Sequence, residues 1–215
     1  ACKAIAVMSI SLSPFDSDTA LFNTGTGLFM ITGLASGDVL VKPFCEGIEE
    51  TVHLNVYTTP HGRNRIIDII GDLGGFAFED YDSECENSFA NENGDRYITC
   101  LNADFTLQRP EYIAATPRGN WTGKTKGGLI LSKDCGSTWE RLPMPRGLSE
   151  FIDKKLDNIE KPNVDSGWTA ISADGKRIMW AVAGGKGFSN KAVCYTDDEG
   201  KTWQKSIFTD SKIRI

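Results

Sequence analysis

The feature that most constrains this chain is a turn written twice. Ser132-Lys133-Asp134-Cys135-Gly136-Ser137-Thr138-Trp139 and Thr196-Asp197-Asp198-Glu199-Gly200-Lys201-Thr202-Trp203 share the frame S/T-x-D-x-G-x-T-W. Each is led by a short apolar run, Gly128-Leu129-Ile130-Leu131 in the first case and Ala192-Val193-Cys194-Tyr195 in the second. The arrangement predicts a β-hairpin. The aspartate accepts backbone N–H bonds inside the turn, the glycine takes a conformation that a β-carbon resists, and the Thr-Trp pair starts the return strand with its ring against the hairpin. Asp134 and Asp198 are therefore structural acceptors, and Trp139 and Trp203 are expected to be buried.

The rest of the chain repeats the same rhythm with less regular turns. Strand-length segments run from Ala4 to Ser13, Ala20 to Asn23 and Gly27 to Ile31, with a turn at Pro14-Phe15-Asp16-Ser17-Asp18. They recur at Thr99 to Thr106 and Tyr112 to Ala115 around Arg109-Pro110-Glu111, and again at Gly167 to Ala173 and Arg177 to Ala183 around Asp174-Gly175-Lys176. With 22 glycines and 10% aromatic residues, the composition favours short strands joined by tight turns. The two aspartates stand 64 positions apart, more than the ~40–50 residues of one four-stranded propeller blade. The excess is assigned to an insertion. Leu148, Phe151, Ile152 and Leu156 recur at helical spacing, so one short helix is expected between Pro145 and Asp157. At the usual blade size, the chain accommodates about four blades.

Charge and composition narrow the partners. A net charge of −6 gives no basic field for phosphate backbones, which argues against nucleic acid. No apolar run approaches the ~20 residues of a membrane-spanning helix. His53 and His61 have no metal-ligand spacing around them, so neither a metal nor another cofactor is expected. The six cysteines, Cys2, Cys45, Cys85, Cys100, Cys135 and Cys194, form no CxxC pair. Among them only Cys85 and Cys100 flank a short polar segment that a bridge would close. One glycosylation sequon is present at Asn120-Trp121-Thr122.

The paired S/T-x-D-x-G-x-T-W frames are Asp-boxes, and with their lead-in strands they resemble Asp-box β-propellers: sialidases, sortilin-type receptors and the xyloglucanases of glycoside hydrolase family 74. The first ninety residues sharpen the likeness. Gly47-Ile48-Glu49-Glu50-Thr51-Val52, then Leu54-Asn55-Val56, Pro60-His61-Gly62 and Gly71-Asp72-Leu73-Gly74-Gly75-Phe76, resemble the opening of the C-terminal propeller of family 74 xyloglucanases. Ser172-Ala173-Asp174-Gly175, Trp180 and the second Asp-box continue it in order. The resemblance implies an all-β, seven-bladed Asp-box propeller, of which residues 1–215 form a part. It also implies a secreted hydrolase that inverts configuration as it cuts the β-1,4-glucan backbone of xyloglucan. A preceding propeller would supply the second carboxylate.

By the same resemblance Asp72 is the candidate general acid. The residues agree in kind: Asp72 follows the apolar run Ile66-Ile67-Asp68-Ile69-Ile70 and precedes two glycines, where backbone yields room for a sugar. The bland alternative for Asp72 is a turn carboxylate that caps backbone N–H groups. Glu49 and Glu50 are supporting candidates that the resemblance raises without assigning a step. Sugar faces stack on aromatic platforms, and Trp121, Trp168 and Phe76 are the candidates, whereas Trp180 reads as core. A sialidase would need an arginine triad, and Arg118, Arg141 and Arg146 have no such context. The other competing reading is a non-catalytic, sortilin-like propeller that binds protein or glycan.

Overall fold

The structure, a computed structural model, describes residues 7–25, 27–46, 51–85, 87–120, 125–143, 145, 167–182 and 193–206. They form four four-stranded antiparallel sheets in which every strand pairs with its neighbour in sequence. This is the blade of a β-propeller, repeated four times. The helix expected from Pro145 to Asp157 lies, Pro145 apart, outside the described residues, as do Cys2, Glu49, Glu50 and Trp121. No helix among the described residues is long and apolar enough to cross a membrane.

The chain divides into two compact units, Ala1–Thr51 and Val52–Ile215. The smaller unit holds blade 1: β1 (Val7–Leu12), β2 (Thr19–Thr24), β3 (Gly27–Thr32) and β4 (Leu40–Pro43). Its centre is the stacked pair Phe22 and Phe29, with centroids 5.2 Å apart. Asp18 closes the β3–β4 connection by accepting N–H bonds from Gly33 at 3.1 Å and Ala35 at 2.6 Å. A turn carboxylate thus ties two loops of one sheet.

The larger unit holds three blades. Blade 2 comprises β5 (Val52–Thr58), β6 (Ile66–Gly71), β7 (Gly74–Phe78) and β8 (Asn87–Ser88). Blade 3 comprises β9 (Cys100–Phe105), β10 (Ile113–Pro117), β11 (Ile130–Ser132) and β12 (Glu140–Arg141). Blade 4 comprises β13 (Trp168–Ile171), β14 (Ile178–Ala181), β15 (Val193–Thr196) and β16 (Gln204–Lys205). Side chains alternate between the faces of a strand, and blade 3 uses both faces. Ile113, Ala115 and Ile130 join Ile67, Ile69, Phe89, Tyr97 and Trp139 in one core. Ala114, Leu129 and Leu131 turn the other way to pack with Ile171, Ile178, Trp180 and Val182.

Both aspartate turns form, with matching bonds. Asp134 accepts from Ser132 Oγ at 2.8 Å, Thr138 N at 2.8 Å and Thr138 Oγ1 at 2.6 Å. Asp198 accepts from Thr196 Oγ1 at 2.7 Å, Thr202 N at 2.8 Å and Thr202 Oγ1 at 2.6 Å. Cys135 and Glu199 occupy the same left-handed position, with φ of 60° and 55°. Trp139 and Trp180 are core residues as expected, 5% and 0% exposed.

Two expectations fail. Trp203 is only half-buried: it packs against the blade 3–blade 4 core with its ring 6.0 Å from Trp180 and donates Nε1–H to Pro143 O at 2.9 Å, a place at the margin of that core rather than inside it. Cys85 and Cys100 are free thiols. Cys100 is sealed inside the core and donates to Asn102 O at 3.3 Å, while Cys85 belongs to blade 2 and donates to Asn87 O at 3.3 Å. Each has found a carbonyl partner within its own sheet. Burial also pushes the Cys100 thiol up to about 12, so it stays protonated.

The two tryptophans should therefore separate. Trp139→Ala is expected to cost about 3–5 kcal/mol, the range for emptying a sealed aromatic site, and Trp203→Ala about 1–3 kcal/mol, both by denaturant unfolding. The aspartate turns carry a pH dependence. Bonds from Thr202 hold the Asp198 carboxyl at about 2, below its ordinary 3.8. A lowered folded value stabilises above the unfolded one, so this contribution is complete above about pH 4 and disappears as pH falls through about 2. Melting temperatures of wild type and Asp198→Asn should differ most above about pH 4 and converge near about pH 2.

Candidate functional site

The strand that leads to Asp72 is apolar for packing reasons. Ile66, Ile67, Ile69 and Ile70 are all buried: β6 lies between β5 and β7, and Ile67 and Ile69 face the blade 2–blade 3 core. The chain then reverses over Gly71, Asp72 and Leu73, so that Ile70 pairs with Gly74. Asp72 sits at this tip, exposed, with a φ of 64°. It is one of three non-glycine residues with positive φ among the described residues, and the other two are accounted for by the aspartate turns. Aspartate tolerates this left-handed conformation better than most residues.

The tip is stapled rather than free. Asp72 N–H donates to Thr99 Oγ1 at 3.0 Å, Gly74 N–H donates to Ile98 O at 2.9 Å, and Gly74 forms a parallel bridge with Thr99. Thr99 O in turn accepts from Arg118 N at 2.7 Å. The close approach needs Gly74: its φ is +81°, and a β-carbon there would stand 2.7 Å from Tyr97 O. Gly75 is equally confined, since an added β-carbon would meet Asp68 O at 2.7 Å and Phe89 Cε2 at 2.9 Å. The room that the two glycines were expected to leave for a sugar is thus filled by the protein's own backbone and the Phe89 ring, while Asp72 itself stays exposed.

Two further groups lie on the same blade. Asp68 interrupts the isoleucines of β6, and burial of a carboxylate without a partner is costly. His53 on β5 supplies one, with Nδ1 2.8 Å from Oδ2 and 3.0 Å from Oδ1. His53 received no role from the sequence; the signal for this pair was the single charged residue inside an apolar run. Phe76 stands opposite Asp68 on β7, half-buried, with its ring 6.3 Å from that of Phe78. Trp168 opens β13 on blade 4 and is 62% exposed, so its indole presents a bare face of the kind a platform needs. Its neighbours are bound to the end of blade 3 that also anchors the Asp72 tip: Thr116 Oγ1 donates to Gly167 O and Thr169 N–H donates to Asn102 Oδ1, both at 2.7 Å, and Thr99 stands just before β9. Glu49, Glu50 and Trp121 cannot be placed relative to either, being outside the described residues. No group of three His, Cys, Asp or Glu side chains among the described residues could hold a metal ion.

Gly74→Ala should displace the Asp72 tip from Thr99, with a loss of about 1–3 kcal/mol measured by thermal unfolding.

The known proteins that this chain matches include several xyloglucanases. A xyloglucanase from a Paenibacillus species is 25% identical over 212 residues, 96% of this chain and 18% of that protein. An oligoxyloglucan-reducing end-specific xyloglucanase from Emericella nidulans is 28% identical over 181 residues, 81% of this chain and 20% of that protein. The chain thus spans about a fifth of the length of these relatives. No family model matches it. Among solved structures, a family 74 xyloglucanase from Xanthomonas campestris superposes with a TM-score of 0.61 at 24% identity, covering 91% of this chain and 25% of the other. In sequence over most of its length, and in its blades, the chain resembles the xyloglucanases of glycoside hydrolase family 74.

Proposed function

We propose that this chain is part of a secreted xyloglucan-degrading glycoside hydrolase and that it contributes the general acid, Asp72. The observation that carries the reading is the Asp72 tip itself. A carboxylate at the end of an apolar strand, in the left-handed region and tied to Thr99 through its own N–H, has its backbone fixed while its side chain remains exposed. Backbone outliers of this kind persist where surrounding structure over-determines them, and they gather at active sites. The likeness to xyloglucanases supplies the substrate class: the β-1,4-glucan backbone of xyloglucan or its oligosaccharides.

The chemistry asks two things of the site. A general acid delivers its proton to the departing glycosidic oxygen, and for that it must hold the proton near working pH, which requires its carboxyl to be partly desolvated in the complex. Inversion also needs a second carboxylate about 6.5–9.5 Å across the sugar to activate water. That base is proposed to come from a preceding propeller. Trp168, and with it Phe76, would give sugar rings apolar faces to rest on, with Glu49, Glu50 and Trp121 as further contributors.

In the full-length enzyme, Asp72→Asn preserves the size and the backbone bond of the tip but cannot deliver a proton. Its kcat on xyloglucan is expected to fall about 10²–10⁴-fold with binding retained, and an activated aryl glycoside, whose leaving group needs no protonation, should recover part of the loss. A melting curve accompanies the kinetics. Hydrolysis of xyloglucan within a few-fold of wild type would reduce Asp72 to a turn residue, and binding of xyloglucan by wild type without any hydrolysis would favour a non-catalytic glycan-binding propeller.

A further inference from the structure

A cleft of about 530 Å³ opens beside the blade 2–blade 3 core, and the proposed chemistry makes no use of it. Its walls come from the β8–β9 connection (Asn91, Glu92, Tyr97), the β10–β11 connection (Thr125, Lys126), and Trp139 with the start of β12. Two of these residues are anomalous. Tyr97 and Trp139 are 1% and 5% exposed, yet the Tyr97 hydroxyl and the Trp139 indole N–H have no hydrogen-bond partner. Buried polar groups are nearly always paired, so two orphans on the wall of one cleft call for an explanation. Packing accounts for the rings but not for their polar atoms: the indole sits against Phe89, with centroids 4.3 Å apart, and a phenylalanine at position 97 would fill the core without a hydroxyl.

We propose that this cleft is a second saccharide-binding site that takes one or two neutral sugar rings through the Tyr97 hydroxyl, the Trp139 indole N–H and the Arg141 guanidinium. The lining selects the ligand class. Lys126 and Arg141 are matched by Glu92 and Glu140, so no net charge draws an ion of either sign. Donors and acceptors are interleaved instead, which suits hydroxyl groups that both donate and accept. The volume lies within the ordinary range for small-molecule sites. The walls are also fixed in advance. Arg141 Nε donates to Gly127 O at 2.8 Å, and Asn91 braces its own loop by accepting from Asp95 N at 2.9 Å while donating to Thr125 Oγ1 at 3.3 Å. Burial pushes the Tyr97 phenol up to about 12, so the hydroxyl keeps its proton. The site goes beyond the proposed reaction, which guides only the choice of probe, since Asp72 is not among the lining residues.

The test is an NMR titration of the full chain, following the indole N–H resonances of its five tryptophans. Xylose, glucose and a xyloglucan heptasaccharide are the probes, with glucuronate as the charged control. The Trp139 resonance, assigned through its contact with the Phe89 ring, should move saturably with a neutral sugar at a Kd of about 1 mM or below. Tyr97→Phe should melt no lower than wild type, because it removes an unsatisfied hydroxyl, and should bind at least about tenfold more weakly; Arg141→Gln should weaken binding likewise. Asp72→Asn should leave this titration unchanged, so that failure of the proposed reaction and failure of this site can be told apart. The proposal is overturned if the resonance stays still up to about 50 mM sugar, if only glucuronate moves it, or if Tyr97→Phe binds as tightly as wild type.

Discussion

Blade 3 has to bury two faces at once, and most of the larger unit follows from that. A four-stranded sheet with a single covered face could keep polar residues at every second position, but β10 opens Ile113-Ala114-Ala115 and β11 follows Leu129 with Ile130-Leu131, apolar at every step. The small alanines of β10 let the neighbouring blades approach, while the large residues of β11 fill what remains. Polar bonds then fix the register between blades. Asn102 and Asp104 on β9 reach across to accept the Thr169 and Ile171 N–H groups of β13 at 2.7 and 2.8 Å. Thr116 donates to Gly167 O at 2.7 Å, and on the other side Asn64 donates to Cys135 O at 3.0 Å. Each such bond contributes only about 0.5–1.5 kcal/mol, but leaving a buried N–H unpaired would cost about 1–3 kcal/mol. Side chains here do for β13 what a neighbouring strand does within a sheet.

This two-sided burial also accounts for the residues that behaved differently from their sequence twins. Trp139 and Trp203 occupy the same place in the same eight-residue frame, and the bonds of Asp134 and Asp198 match to within 0.1 Å at each step. Local chemistry is therefore identical. Trp139 projects into a core contributed by blades 2 and 3, whereas Trp203 packs at the margin of a core contributed by blades 3 and 4. The motif dictates the turn; the neighbour dictates the burial.

The inner and middle strands were legible because their apolar alternation and their turns are both written in the chain. Segments such as Thr99 to Thr106 and Tyr112 to Ala115 fold as β9 and β10 within a residue or two of their expected limits. The outer strands were not: β8, β12 and β16 are two residues each, too short for any period to show, and they exist because β7, β11 and β15 offer them an edge. The same limit applies to the thiols. Spacing along the chain allowed Cys85 to face Cys100, but the blades part them, and no local signal says which blade a residue will join. Asp68 was visible as a lone charge among isoleucines, and what could not be read was that His53, 15 residues earlier, would stand across from it.

The aspartates of this chain divide by what their carboxylates are asked to do. Asp134 and Asp198 spend every oxygen on the turn that contains them, and hydrogen bonds to the charged form favour ionisation, which is why both lie below the usual carboxylate range. Such a group is the wrong acid to hold a proton for catalysis. At Asp72 the bond that fixes the tip is made by the backbone N–H, which leaves the carboxylate itself outside the scaffold. A general acid needs that separation, since a carboxylate already used to hold the fold cannot give up its charge without loosening it. It also needs a cover that raises its proton affinity. In the proposed enzyme that cover would come from substrate lying over the exposed tip.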